Sequence, residues 1–373
     1  MNDRGIAHTR YIKPPLPMGS YKEENCIFLI KNMNGLLEEQ NNLEREYAMQ
    51  NGTHYSEMLP IEYMPTKEYM TLYKRTLEET AEEIAYYTGV VAELIYRKKG
   101  KEAIIVSLAR AGTPIGVLIK RYLAYKYQIN VPHYSVSIIR DKGIDENALL
   151  YILKTHPHGA IQFVDGWTGK GVIGRTLTKA CKEFEDKYGV ILDDTLAVLC
   201  DPGECTSVYG TRADFLVPSA CLNATVSGLM SRTFLRADLI GPYDFHGAKF
   251  YKEWEQVDVS NDFVDTISAR FTQLDIGEED LINKEIGEFT AAQSVENIRE
   301  HFDISTINRV KPGVGETTRV LLRRVPWKIL VKDKENKNLK HILLLAEDRG
   351  VPIEIYKEMC YSCCGLIKDM SEV

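Results

Sequence analysis

Five short apolar runs, separated by stretches with helical spacing, constrain this chain more than any other feature. Ala103–Leu108 (AIIVSL), Val136–Ile139, Ala160–Val164, Asp194–Leu199 and Ala213–Val217 are rich in β-branched residues and too short for helices. Their nearly continuous apolar character suits strands covered on both faces. Pro114–Tyr127 and Gly174–Tyr188 carry helical patterns between them. Thr66–Lys99 places Leu72, Leu77, Ile84, Val91 and Leu94 at helical spacing before Gly100 stops it. Strand and helix alternation of this kind predicts an α/β fold, a largely parallel sheet with helices on both faces.

The 373 residues allow more than one domain. Residues 1–100 read as a mainly helical leader packing on the core, 101–275 as the α/β core, and 295–373 as a smaller α/β unit. The acidic, weakly patterned stretch 271–294 separates the last two. In the smaller unit Lys328–Val331 and Pro352–Tyr356 are the expected strands, with Lys340–Asp348 as the helix between them. With 44% hydrophobic and 27% charged residues the chain has enough apolar side chains for packed cores. No apolar run approaches the roughly 18 residues that cross a bilayer. Met1–Ser20 is polar and then proline-rich, unlike a secretory signal. The expectation is a cytoplasmic protein without membrane contact, its eight cysteines free thiols. Cys360, Cys363 and Cys364 cluster, but no second ligand pair has zinc spacing, so no structural zinc is expected. Oligomeric state is left open.

Most chemistry resides in Ile161-Gln-Phe-Val-Asp165-Gly-Trp-Thr168-Gly169-Lys170-Gly171. A strand ends in a carboxylate, and a glycine-rich turn then opens a helix. In an open α/β sheet ligands bind beyond the carboxyl ends of strands. Glycines let backbone N–H groups converge on a phosphate at a helix N-terminus. Thr168 can add a hydroxyl, and Asp165 suits ribose hydroxyls or a water on Mg²⁺. A turn kept for packing alone is the competing reading. A triphosphate P-loop is excluded, because Gly171 follows Lys170 where Ser or Thr is required and the spacing is too short.

This strand–Asp–turn–Thr-Gly arrangement resembles the PRPP-binding motif of type I phosphoribosyltransferases, although Gly166 replaces the second acid and the loop is shorter. Over residues 20–270 the chain resembles the phosphoribosyltransferase-like proteins of tellurium-resistance (Ter) stress operons, some of which are called "cysteine protease StiP". The resemblance implies that Ala109-Arg110-Ala111-Gly112, after the first strand, binds pyrophosphate. It implies a mobile basic loop at Arg140 and Lys142, a Mg²⁺ held through water by Asp165, and PRPP as substrate. The activity so implied is a glycosyltransferase making a ribonucleoside-type product. Asn223, Ser227 and Arg232 are candidates for the acceptor pocket. The alternatives are a non-catalytic, nucleotide-sensing RNA-binding protein, or a thiol protease with Cys221 as nucleophile, His246 as base and Asp244 or Asn223 as orienter. Nothing around Cys221 resembles a protease elbow, and a small buried thiol is the plainer reading.

Net charge is −7, yet residues 311–340 hold nine Lys or Arg against three acids. A solvated basic face or a nucleic-acid contact produces such asymmetry. From Lys311 through Arg324, and on to Leu366, the chain resembles a Pelota-type RNA-binding domain. Gly313, Glu316, Thr318 and Arg319 match that family's helix-opening motif, while Gly315 stands where it has Asn. The resemblance implies structured RNA at this helix start, with Arg323 adding charge.

Overall fold

Two strands of the core explain the rest of the sheet. In the computed structural model, which describes residues 1–62, 64–282 and 290–369, Ala103–Ala109 is buried at every position but the last. It is central, with His133–Ile139 paired on one side and Ala160–Trp167 on the other. Labelling Ile27–Phe28 as β1, Ala103–Ala109 as β2, His133–Ile139 as β3, Gly143–Ile144 as β4, Ala160–Trp167 as β5, Leu196–Cys200 as β6 and Val208–Thr211 as β7, the order is β1-β3-β2-β5-β6-β7. Each of those neighbours is parallel. Only β4 runs antiparallel, as a short return on β3.

Side-chain alternation along each strand separates the two faces. On one face Ile105, Val164 and Leu199 join a cluster with Ile84, Val91, Ile115, Leu118 and Phe263. These last five come from α3 (Lys67–Lys99), α4 (Gly112–Tyr127) and α7 (Ser260–Ser268). On the other face Ile104, Val106, Phe163 and Val198 pack with Leu149, Leu150, Leu177 and Phe184. These belong to α5 (Glu146–Thr155) and α6 (Val172–Tyr188). The parallel α/β architecture is therefore the one the sequence implies. No described helix is long and apolar enough to cross a membrane.

One strand expectation fails. Ala213–Val217 is not a strand, and the sheet edge is β7 instead. Asp214 turns the chain out of the sheet because its carboxylate accepts the backbone N–H groups of Val314 and Ser362, both at 2.8 Å. Phe215, Leu216 and Val217 stay buried in the core, which accounts for their strand-like apolarity.

The leading residues hold α1 (Asp3–Thr9) and α2 (Asn42–Gln50), besides α3 and β1. Asn41 and Glu44 form a capping box that starts α2. The C-terminal unit is a four-stranded sheet. Val310–Pro312 is β8, Pro326–Val331 is β9, Ile353–Ile355 is β10 and Cys363–Ile367 is β11, in the order β8-β11-β9-β10. Val314, Leu321, Ile342 and Leu345, from α9 (Val314–Arg323) and α10 (Lys340–Asp348), cluster with Ile329 and Val331. Val295 and Ile298, from α8 (Thr290–His301), meet Leu330 and Leu366. The strands and helix expected around Lys328, Lys340 and Pro352 are present. β8 and β11 escaped the sequence reading, being short and punctuated by Pro312 and Gly365.

Candidate functional site

From β2 the chain crosses to β3 on one side and later to β5 on the other. The carboxyl ends of β2 and β5 thus flank a topological switch point. A cleft of about 1530 Å³ opens there. The turns after β2, β3 and β5 form its floor, α2 and residues 52–66 one flank, and the start of the C-terminal unit its roof. Asp165, Thr168, Gly169, Lys170, Gly171, Ala109, Arg110, Ala111, Arg140, Asn223, Arg232, Glu316 and Arg319 all line it. Gly112 starts α4 directly behind, where a Cβ would collide with Val164 O. Ser227 lies beneath, donating to Asn223 O at 2.8 Å. Lys142 is exposed on its turn and does not line the cleft.

Within the Asp165 turn, side chains and backbone take different tasks. Oδ1 of Asp165 accepts the Gly166 N–H at 2.7 Å. Burial pushes the Asp165 carboxyl up to about 7, with the Gly166 N–H and Arg319 pulling down and Glu316 pushing up. The Thr168 hydroxyl donates to Asp201, not into the cleft. Asp201 has no exposed side-chain surface and also holds Arg212. It further accepts the N–H groups of Cys205 at 2.9 Å and Thr206 at 3.0 Å. The Asp201–Cys205 turn therefore braces the Thr168 turn from behind. Gly171 adopts φ +69° and is the N-cap of α6 without any side-chain cap. α4 likewise begins at Ala111 with no side-chain cap, after a cis peptide between Ala109 and Arg110. The α6 N-terminus thus opens onto the cleft through Val172–Gly174, and the start of α4 reaches it at its cap residue Ala111.

The basic side chains are unevenly engaged. Arg110 is held by Glu62 at 2.5 Å, Met230 O at 2.9 Å and Asn223 at 3.1 Å. Its charge is matched by Glu62, so it fixes the turn instead of reaching outward. Lys170 donates to Ile307 O at 2.7 Å and Val310 O at 3.3 Å in the C-terminal unit. Burial and nearby Arg140 bring Lys170 down to about 8. Burial and Lys170 bring Lys311 down to about 7, opposed by Glu316. Arg232 falls to about 9 through burial and the charge of Arg45. Burial is the largest cause of all three shifts and a neighbouring cation the second.

A family model described as "Tellurite-like stress resistance cysteine protease StiP" matches residues 19–268. The chain belongs to the StiP family. A second family model, the PELOTA RNA binding domain, matches residues 289–369. The chain is also 30% identical over 349 residues to "Cysteine protease StiP" of Acinetobacter baylyi strain ADP1, covering 90% of each protein.

In this StiP protein the three candidate protease residues have other partners. Cys221 is buried, 3% exposed, and lines the cleft. His246 does not line it. Its Nδ1 meets Ser137 Oγ at 2.9 Å and its backbone N–H donates to Asp145 Oδ2 at 2.6 Å. Asp244 pairs with Lys31 at 2.6 Å and accepts the Gly241 N–H at 3.0 Å. His246 and Asp244 are thus engaged with groups other than Cys221.

The Pelota domain presents the start of α9 to the cleft. Gly313, at φ +86°, precedes a helix whose first N–H, that of Val314, goes to Asp214 of the StiP region. A Cβ on Gly315 would lie 2.7 Å from the Trp167 ring. The Arg319 guanidinium stands 4.5 Å from that ring centroid and pairs with Glu316 at 3.0 Å. Thr318 is buried, donating to Val314 O at 2.7 Å with His341 at 3.0 Å. The Arg323 side chain lies outside the described residues. Sequence reading missed Glu62, Asp214 and Arg45, gave Trp167 no role, and took the strand-end loop Asp201–Cys205 for a plain turn. Each acts on a partner far along the chain, so no local pattern marks it.

Proposed function

We propose that the StiP region binds a ribose 5-phosphate group at the switch point, and that the protein is a Mg²⁺-dependent, PRPP-using phosphoribosyltransferase-like enzyme of a stress-resistance pathway. One observation carries this reading: α4 and α6 begin without side-chain caps on the same cleft, at the ends of β2 and β5, with Asp165 at the end of β5. The N–H groups opening α6 would take the 5-phosphate, and the backbone of Ala111 and Gly112 at the start of α4 the diphosphate, since the Thr113 N–H is bonded to Arg110 O and Pro114 has none. Asp165 would meet the ribose hydroxyls. Diphosphate leaves the anomeric carbon with its electron pair as a nucleophile bonds there, and the α4 N-terminus and Arg140 stabilise the charge that builds on it.

The donor set suits a metal that arrives with its ligand. Among the described residues no group of three or more His, Cys, Asp or Glu gathers, and the backbone of Ala111 closes on Gly166, where a Cβ would lie 3.3 Å from its carbonyl oxygen. Mg²⁺ would be held by diphosphate oxygens and, through water, by Asp165, adding neutralisation of the leaving group.

The Pelota domain supports a further role in binding structured RNA, to which the exposed side chains of Trp327, Lys332 and Lys337 offer an aromatic and cations. A non-catalytic nucleotide sensor with an RNA-binding tail is the second reading, favoured by the single acid at Asp165. Calorimetric titration with ribose 5-phosphate, and exchange of labelled pyrophosphate into PRPP with candidate acceptors, separate the cases. Saturable binding that Asp165→Asn weakens, together with exchange, supports transfer. Binding without exchange supports the sensor. Absence of binding overturns both.

A further inference from the structure

Hydrogen-bonding capacity in the cleft is out of balance. Four guanidinium groups that line it, those of Arg45, Arg140, Arg232 and Arg319, each have a buried Nε–H without a hydrogen-bond acceptor, although that of Arg140 lies 3.4 Å from Asp141 Oδ2 as an ion pair. Against them stands one buried carboxylate oxygen without a donor, Oε2 of Glu62. An unpaired buried N–H is costly, and more so on a charged group. Two of the four, Arg45 and Arg232, lie close enough to Arg324 to feel its charge, and Arg232 also feels Arg45 and Arg110.

Arg45 projects from α2 and is 5% exposed. Arg232 donates to Tyr55 O, and its guanidinium lies 4.4 Å from the Tyr55 ring centroid. Arg324 ends the Pelota helix and pairs with Glu46 at 2.6 Å. The acids nearby are already engaged. Glu46 serves Arg324 and Gln50, and Glu62 serves Arg110 through Oε1, while both carboxylates also attract Arg45. Arg45, Arg232 and Arg324 therefore bring three positive charges to a corner whose carboxylates leave two of them unmatched. The first and third come from elements that contribute nothing to the 165–171 turn.

We propose that Arg45, Arg232 and Arg324 form a second anion subsite, which holds the carboxylate of the nucleophile that attacks the ribose. The acceptor is then an organic acid and not a neutral base. This rests on the ribose-phosphate reading of the Asp165 turn. The carboxylate does not react. A nitrogen or hydroxyl elsewhere on the acid forms the bond to the anomeric carbon while the bond to diphosphate oxygen breaks. Diphosphate takes the electron pair, and the nucleophile's proton passes to water. Arginine forks match a carboxylate bidentately, and three of them discriminate against an uncharged analogue.

Side-chain ¹⁵N–¹H spectra of the full-length protein read the subsite directly, since buried Nε–H signals are protected from exchange. Arg45→Gln and Arg232→Gln assign the two resonances. Matched pairs, orotate with uracil and nicotinate with nicotinamide, are titrated with ribose 5-phosphate present, and inorganic pyrophosphate is titrated alone. At least one acid is expected to shift both signals while its neutral partner does not. Arg45→Gln should weaken that acid by roughly tenfold and leave ribose 5-phosphate affinity unchanged. Equal response to acid and neutral members, response to pyrophosphate alone, or response to none of them overturns the proposal. Ribose 5-phosphate binding is read separately, at the backbone amides of Gly169–Val172, so failure of that reading is told apart from failure of the subsite.

Discussion

Asp201 governs the Thr168 turn without facing the cleft. Its buried carboxylate gathers the Thr168 hydroxyl, two backbone N–H groups and Arg212. Its pKa is nonetheless raised, because burial outweighs those donors. Replacing it by Ala strands a guanidinium and two N–H groups, so Asp201→Ala should cost about 3–5 kcal/mol in urea unfolding. Thr168→Val removes one hydrogen bond and should cost about 1 kcal/mol. The Asp201–Cys205 segment reads as a plain turn in the sequence, since Thr168 lies 33 positions away. A second residue-scale expectation concerns pH. Lys311 at about 7 and Lys170 at about 8 lose their protons as pH rises, while Asp165 at about 7 gains its negative charge. All three changes repel an anion. Calorimetry should therefore show ribose 5-phosphate affinity falling roughly tenfold from about pH 6 to about pH 9. Lys311→Met should flatten that slope, and a rising affinity would contradict the charge assignment.

At the scale of elements, α9 shows what patterning reveals and what it hides. The sequence marks its start through Gly313 and the residues after it, and its apolar stripe packs as the spacing implies. The sequence does not reveal that a carboxylate from another unit caps it. Asp214 occupies the N-terminus, a position favourable to negative charge, and burial holds its carboxyl up at about 6. Asp214→Ala should cost about 1–2 kcal/mol, within the range of lost caps. Hydrogen exchange should quicken in the first turn of α9 and at Ser362. Unchanged protection there would show that the cap is dispensable. The strands β2, β3, β5 and β6 were legible because each is apolar on both sides. Ala213–Val217 misled because an apolar run that fills a core without pairing has the same composition as a strand.

At the scale of the molecule, the RNA-type domain and the StiP region share one cleft. Trp167, on the last residue of β5, meets both Gly315 and Arg319. Lys170, Arg140 and Tyr361 cross the same boundary, to Ile307 O, Asn308 and Gly169 O. Gly315→Val would drive a side chain into the Trp167 ring and part the two units. That variant should lose affinity for ribose 5-phosphate and gain affinity for structured RNA through the freed start of α9. Binding to RNA by phosphate contacts should weaken steeply with salt. The central claim, a ribose-phosphate site at the β2–β5 switch point, is tested most directly by diffraction from crystals soaked with PRPP and Mg²⁺. The account predicts phosphate density on the amides of Gly169–Val172, with ribose hydroxyls at Asp165 and diphosphate at Ala111–Gly112. Ligand density at Cys221 or on the outer face of the Pelota domain, with the Thr168–Gly171 turn empty, would contradict it.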